Sequence, residues 1–131
     1  MTIKTQESTT ASANELSALE GAIIDAIQDK KGYRITELDF TNLDTAPASA
    51  FIVCQGKSTS QVASIADNIR EEVRKKLDIK PYSYDGYRNS QWIALDYGDV
   101  MAHIFLPDTR EYYNLEDLWS DARVTEIPDL D

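Results

Sequence analysis

A chain of 131 residues, 42 % of them hydrophobic, is long enough for one domain with a real core. Thirteen basic against 23 acidic residues give a net charge of −10; this argues against non-specific nucleic-acid binding, which needs basic surface to neutralise phosphates, and suits either a basic protein partner or simple solubility. A single cysteine, Cys54, excludes an internal disulfide and any multi-cysteine zinc site, and no segment approaches a membrane span.

Residues 1–12 are polar, rich in Ser and Thr, and read as disordered. They lack the apolar core of a signal peptide and the arginines of a transit peptide, so the expected setting is a reducing, cytoplasmic one. A first helix is predicted over 13–31, with Leu16, Leu19, Ile23, Ile24 and Ile27 as its apolar stripe and Gly32 at its end. A strand follows at 34–40, then a loop, then a short apolar strand at 50–55 bounded by Gly56. Cys54, within that strand, is expected to be a buried, inert thiol. Ser58, Thr59 and Ser60 offer N-caps for a second helix, whose stripe is Val62, Ile65, Ala66, Ile69, Val73 and Leu77. Pro81 stops it, 82–84 reads as a short strand, and Asp85-Gly86 as a turn.

Residues 92–106 read as a β-hairpin turning at Tyr97-Gly98, where Gly98 supplies the positive φ such turns need. Period-two geometry puts Ile93, Leu95, Val100, Ala102 and Ile104 on one purely aliphatic face. Trp92, Ala94, Asp96, Asp99, Met101, His103 and Phe105 fall on the other. If Asp96 pairs with Asp99, Trp92 lies across from His103. A sheet face carrying Trp, Met, Phe, the only His and two carboxylates is an unusual surface, and either a helix or a partner is expected to cover it. Asn114 is placed to cap a last helix over 115–121, and 123–131 reads as a loose acidic tail, leaving 13–122 as the folded domain. The order α-β-β-α-β-β-β-α predicts an α/β (α+β) fold with helices mainly on one face of its sheet.

These residues suggest three kinds of chemistry, each with a requirement of its own. Gly56-Lys57-Ser58 before a helix is where a nucleotidyltransferase binds phosphate, but the carboxylates available to hold a metal, Asp96 and Asp99, are three apart across a turn rather than two apart on one strand face. Cys54 with His103 as nucleophile and base needs a thiol that is not buried. Asp96, Asp99 and His103 as metal ligands fail on distance, since His103 lies about 13 Å along the strand from Asp99 at a rise of ~3.3 Å per residue. Turn chemistry accounts for the two aspartates equally well. The residues taken alone therefore describe an acidic, non-enzymatic domain with an aromatic and acidic face fit for a protein partner, and a metal-dependent nucleotidyltransferase-like enzyme as the alternative.

Trp92, Asp96-Tyr97-Gly98-Asp99 and His103 resemble the central signature of the ribosomal silencing factor (Iojap-like) family. Arg110 to Trp119 resembles its closing motif, and Phe51 to Ser58 its strand and Gly-x-Ser loop; the resemblance as a whole covers roughly residues 16–122. The resemblance implies a mixed sheet similar to that of the nucleotidyltransferase superfamily, without catalysis. It also implies binding to a basic protein of the large ribosomal subunit, at the surface facing the small subunit. There the factor would block subunit joining and repress translation under nutrient limitation. A steric mechanism requires no cofactor, metal, membrane or direct nucleic-acid contact. The partner-binding set it implies is Trp92, Asp96, Tyr97, Gly98, Asp99, Met101, His103 and Arg110, with Trp92 as apolar anchor and the aspartates as charge partners. Arg110 has two further readings, a pair with Asp96 or Asp99 and a place facing the partner. Tyr113, Leu115 and Trp119 are expected to be structural. Ser49-Ala50 stands where family members usually carry an acidic residue, so no role at that position carries over. A homodimer through the open face is a further expectation; an organellar role in ribosome assembly is a third option, against which the lack of an Arg-rich presequence weighs.

Overall fold

The computed structural model describes residues 13–41 and 43–129, with side chains from residue 17 onward. The expected disorder of 1–12 and the place of Leu16 in the first stripe lie outside the described residues. In chain order the elements are α1 (Ala13–Asp29), β1 (Tyr33–Asp39), β2 (Ala50–Gln55), α2 (Thr59–Leu77), β3 (Ser83–Asp85), β4 (Trp92–Asp96), β5 (Val100–Phe105), α3 (Pro107–Tyr113), α4 (Leu115–Leu118) and β6 (Arg123–Ile127). The strands form one six-stranded mixed sheet in the order β3-β4-β5-β2-β1-β6. Only the central β2 and β5 run parallel; all other neighbours are antiparallel.

The two long helices cover one sheet face. Leu19, Ile23 and Ile27 of α1 and Val62, Ile65, Ile69 and Val73 of α2 pack on Ile35, Ile52, Cys54, Ile93, Leu95, Val100, Ala102 and Ile104. The aliphatic hairpin face is therefore core, as its alternation requires, and each fully buried Ile or Leu adds roughly 1.5–3 kcal/mol. Asn68 is the polar member of this layer; its Nδ2 donates to the Ala26 carbonyl at 2.9 Å and ties the helices together. All six residues of β2 are buried, because that strand is covered on both faces, which is why it reads as a continuous apolar run.

The second face is closed in part by the chain itself. Leu38, Phe40, Phe51, Val53, Phe105, Leu115 and Ala122 form a separate cluster, with Leu43, Ala46, Ala48, Trp92, Met101 and Trp119 packed at its edge. Trp119 sits on Phe40 and Phe51 at centroid distances of 5.1 and 6.4 Å. It thus pins down the short C-terminal helix, and Leu115 is buried beside it.

Pro107 opens a helix that the element order did not include: it occupies the first turn of α3 behind the extended Leu106, where its missing N–H is not needed. Two expectations are corrected. Asn114 adopts a left-handed conformation (φ 46°) and ends α3 through its N–H to the Arg110 carbonyl, instead of capping the next helix with its side chain. Residues 123–127 are not a loose tail but an edge strand on β1, pairing Leu38 with Val124 and Ile35 with Ile127.

On β1, Glu37 and Asp39 alternate with Leu38 and face Glu20 of α1. Burial, then a hydrogen bond and charge repulsion from Glu37, push the Glu20 carboxyl from 4.5 up to about 8. Across that window the folded chain keeps a proton that the unfolded chain has released, so stability is full below pH 4.5 and declines as pH rises toward 8. Glu20→Gln cannot ionise; it is expected to raise the melting temperature at pH 8 and to leave it nearly unchanged near pH 4, read by thermal denaturation at both.

Candidate functional site

The site is built around the β4–β5 hairpin. Its register is Trp92 opposite Phe105, Ala94 opposite His103 and Asp96 opposite Met101. The closing bond is from Tyr97 N–H to the Val100 carbonyl at 2.9 Å. The two turn residues are thus Gly98 and Asp99, one step later than Tyr97-Gly98. Two local causes set this. The Asp96 carboxylate accepts the Gly98 N–H at 2.7 Å, and Gly98 carries φ +87° at the first turn position. The pairing moves by two residues, so the two faces keep the side chains assigned to them.

Trp92 remains the centre of the second face. Its ring stacks on Phe105 (4.9 Å, 24°) and meets Tyr113 of α3 at 4.8 Å. Its Nε1–H donates to His103 Nδ1 at 3.0 Å, a diagonal contact across the ladder. His103 is 4 % exposed and meets Phe51 at 4.4 Å. Burial pulls its pKa from 6.5 down to about 4, against a smaller upward pull from Asp96. It is therefore a neutral residue behind the surface. Trp92, Ala94, Asp96 and Met101 stay half-exposed. Beside Trp92 a hollow of about 440 Å³ opens between the β3–β4 loop and α3, walled by Tyr84, Tyr87, Gln91, Thr109 and Tyr113.

Asp99 lies at the rim, half-exposed, and its carbonyl accepts the N–H groups of Ser49 and Ala50 at 2.7 and 3.1 Å, fastening the loop before β2 to the turn. The departure at Ser49-Ala50 thus falls against this turn and contributes backbone donors to it.

Three of the expected contact residues are buried and present no surface to a partner: His103, described above, Tyr97 and Arg110. Tyr97 is 5 % exposed and packs under the long helices, on the side of the sheet away from Trp92. Arg110 is 7 % exposed and pairs with neither Asp96 nor Asp99. Its Nε and Nη2 hold Glu116 Oε2 at 3.0 and 2.6 Å. Nη2 also reaches Thr36 Oγ1 at 3.0 Å. Nη1 donates to the Arg34 carbonyl at 2.6 Å and to Gln55 Oε1 at 3.3 Å. All five guanidinium donors are thus accounted for. The Arg34 carbonyl is turned toward it by an irregularity in β1 between Tyr33 and Thr36, where Arg34 has φ +52°.

The alternative chemistries also have defined places. Val53 pairs with His103 and Cys54 with Ile104, so Cys54 and His103 project from opposite faces and do not form a dyad. Burial pushes the Cys54 thiol up to about 12. At the start of α2, Ser58 Oγ accepts the Gln61 N–H at 3.1 Å, and Gln61 Oε1 accepts the Lys57 N–H at 2.7 Å. The loop thus fills its own donors with side chains of the helix, as an N-cap does. Among the described residues no group of three His, Cys, Asp or Glu side chains is placed to hold a metal ion, and no helix is long and apolar enough to cross a membrane.

The profile of the family described as "Ribosomal silencing factor during starvation" matches residues 11–131. The chain belongs to the ribosomal silencing factor family. It is 36 % identical over 104 residues to the ribosomal silencing factor RsfS of Halalkalibacterium halodurans, covering 79 % of this chain and 87 % of that protein. It is 35 % identical over 102 residues to the Bacillus subtilis RsfS, covering 78 % and 85 %. A crystal structure from Chromobacterium violaceum superposes with a TM-score of 0.75 at 32 % identity, covering 79 % of this chain and 85 % of that one. The match takes in both ends of the folded domain, so β6 falls within the family's region. Silencing factors regulate translation, and the matched region contains the whole hairpin with its half-exposed Trp92. Tyr84, Tyr87 and the Trp92–Tyr113 contact were not foreseen; adjacent tyrosines at 112 and 113, closely following Pro107 at the end of the helix it opens, were the available signal.

Proposed function

We propose that this silencing factor works by docking its Trp92 face on a basic protein of the large ribosomal subunit, where it sterically blocks joining of the small subunit. Occupancy alone represses translation, in the cytoplasm and without chemistry. The observation that carries this reading is Trp92: a half-exposed indole, ordered by three neighbours, on the part of a sheet face that the chain leaves uncovered. Buried aromatic anchors of this kind supply much of the energy of protein interfaces. Asp96 and Asp99 at the rim, in a domain of net charge −10, complement a basic partner and speed encounter. Met101 extends the apolar centre, and Gly98 shapes the turn that carries the acids.

Co-sedimentation with separated ribosomal subunits tests it. Wild type is expected to pellet with the large subunit alone. Trp92→Ala is expected to weaken that binding on the order of 30-fold, as for an interface hot spot. Asp99→Lys should slow association and alter its salt dependence. Full binding by both variants would move the site elsewhere; no binding by wild type to either subunit would sink the proposal. Sedimentation of the free protein beside Trp92→Ala decides whether the same face also joins two copies: a wild-type dimer that the substitution dissociates would place the seam there.

A further inference from the structure

The Trp92 indole donates to His103 Nδ1, so the single imidazole proton sits on Nε2. That Nε2 is buried and has no hydrogen-bond partner. A buried donor left unpaired is uncommon and calls for a reason. A phenylalanine would fill the same place between the rings of Phe51 and Phe105, which lie 4.4 and 6.3 Å from the imidazole, without leaving a polar atom unmatched. What phenylalanine lacks is the acceptor at Nδ1.

The acceptor does something stacking does not. Contact with Phe105 and Tyr113 confines the plane of the indole, but the torsion that turns the ring over is soft and has two broad minima. A half-turn keeps the plane and exchanges the edges. A directional N–H···N bond selects one edge to face inward, which leaves the other facing the hollow of about 440 Å³.

We propose that His103 is a positioning residue for partner docking: its Nδ1 locks the Trp92 indole in one of its two stacked orientations, so that the anchor is ordered before the partner arrives. The inference rests on the docking role of Trp92 proposed above. Ordering a side chain in advance removes a cost that binding would otherwise carry, and that gain is read mainly in dissociation.

Two substitutions separate the bond from the packing. His103→Phe keeps a ring against Phe51 and removes the acceptor. His103→Asn loses the ring but keeps an acceptor oxygen at the same number of bonds from the backbone as Nδ1. The first readout needs no partner: proton exchange of the indole N–H by NMR, in a chain with only two tryptophans, assigned with Trp92→Phe. The second is affinity for purified large subunits. His103→Phe is expected to exchange the Trp92 indole proton at least about tenfold faster, as local protection is lost. It should bind about three- to tenfold more weakly, through faster dissociation. His103→Asn is expected to keep the protected indole and near-wild-type affinity even if it melts lower. Protection unchanged in His103→Phe would overturn the proposal, as would affinity unchanged once protection is lost, or affinity lost in His103→Asn with the indole still protected. Wild type failing to bind the large subunit removes the docking role and this positioning role with it, while the exchange comparison still decides the hydrogen bond.

Discussion

Arg110→Met is expected to destabilise the fold by about 3 kcal/mol or more, in the range found when one partner of a buried ion pair is removed. Methionine keeps most of the volume, so the loss measures polar groups rather than a cavity. The guanidinium joins four elements: the Arg34 carbonyl and Thr36 of β1, Gln55 of β2, and Glu116 of α4, all from α3. Its removal strands a carbonyl, a hydroxyl, an amide and a carboxylate together, and a buried acceptor without a donor costs about 1–3 kcal/mol. Glu116→Gln is expected to cost less, because the amide oxygen still accepts. Urea denaturation of wild type, both single variants and the double variant gives the coupling energy directly. A loss under about 1 kcal/mol for Arg110→Met would mean that water replaces the guanidinium and the network is surface chemistry.

Arg110 also shows where reading along the chain reaches its end. Its neighbours in sequence are polar and exposed, and nothing local marks it as buried. The four acceptors come from positions as far as 76 residues away. The same holds for β6: Arg123–Ile127 is largely exposed and carries no alternation of burial, and only the free edge of β1 makes it a strand. By contrast α1, β2, α2 and both hairpin faces were legible, because each buries an apolar stripe whose period is written in consecutive residues. For the second helix the cap was narrowed to Ser58, Thr59 or Ser60, and the first of these accepts the Gln61 N–H. The hairpin turn was misplaced by one residue because the choice lies between two local interactions, Gly98 at a positive-φ position and Asp96 reaching its N–H, that both registers offer in sequence.

The site was half legible for a related reason. Alternation put Trp92 and His103 on one face, and they touch there. It put Tyr97 outside the alternating run, where its burial under α2 depends on residues of another element. The hollow beside Trp92 was not legible at all, since its walls are a loop and a helix brought together by β4. The two sheet faces divide the labour. One is sealed by long helices and carries stability. The other is sealed only where α3, α4 and the loop before β2 reach, and at the edge of that cover Trp92, Met101 and the acids stand half-buried.

Gly86→Ala is expected to cost about 3 kcal/mol or more and to weaken docking at the same time. Gly86 has φ +101°, outside the range of L side chains, and a Cβ there would overlap the Trp92 carbonyl oxygen and lie 3.0 and 3.1 Å from Trp92 C and Ile93 Cα. These are backbone atoms of a paired strand, so nothing flexible can move aside, and strain of this kind adds to an unfavourable φ worth about 1–3 kcal/mol. The turn is further fixed by Asp85 accepting the Gly86 N–H at 2.8 Å and by Ser90 N–H donating to the Gly86 carbonyl at 2.9 Å. Relief must therefore come from displacing the start of β4, which carries Trp92. Gly21→Ala is the control: Gly21 lies within α1 with nothing inside 4 Å of an added Cβ, and alanine there should stabilise by roughly 0.5–1 kcal/mol through helix propensity alone. Opposite signs from the same chemical change, read by thermal denaturation, would tie the cost to the backbone contact at Trp92. Gly86→Ala that melts like wild type would show that the β3–β4 turn can relax without β4, and its effect on docking would then vanish with its effect on stability.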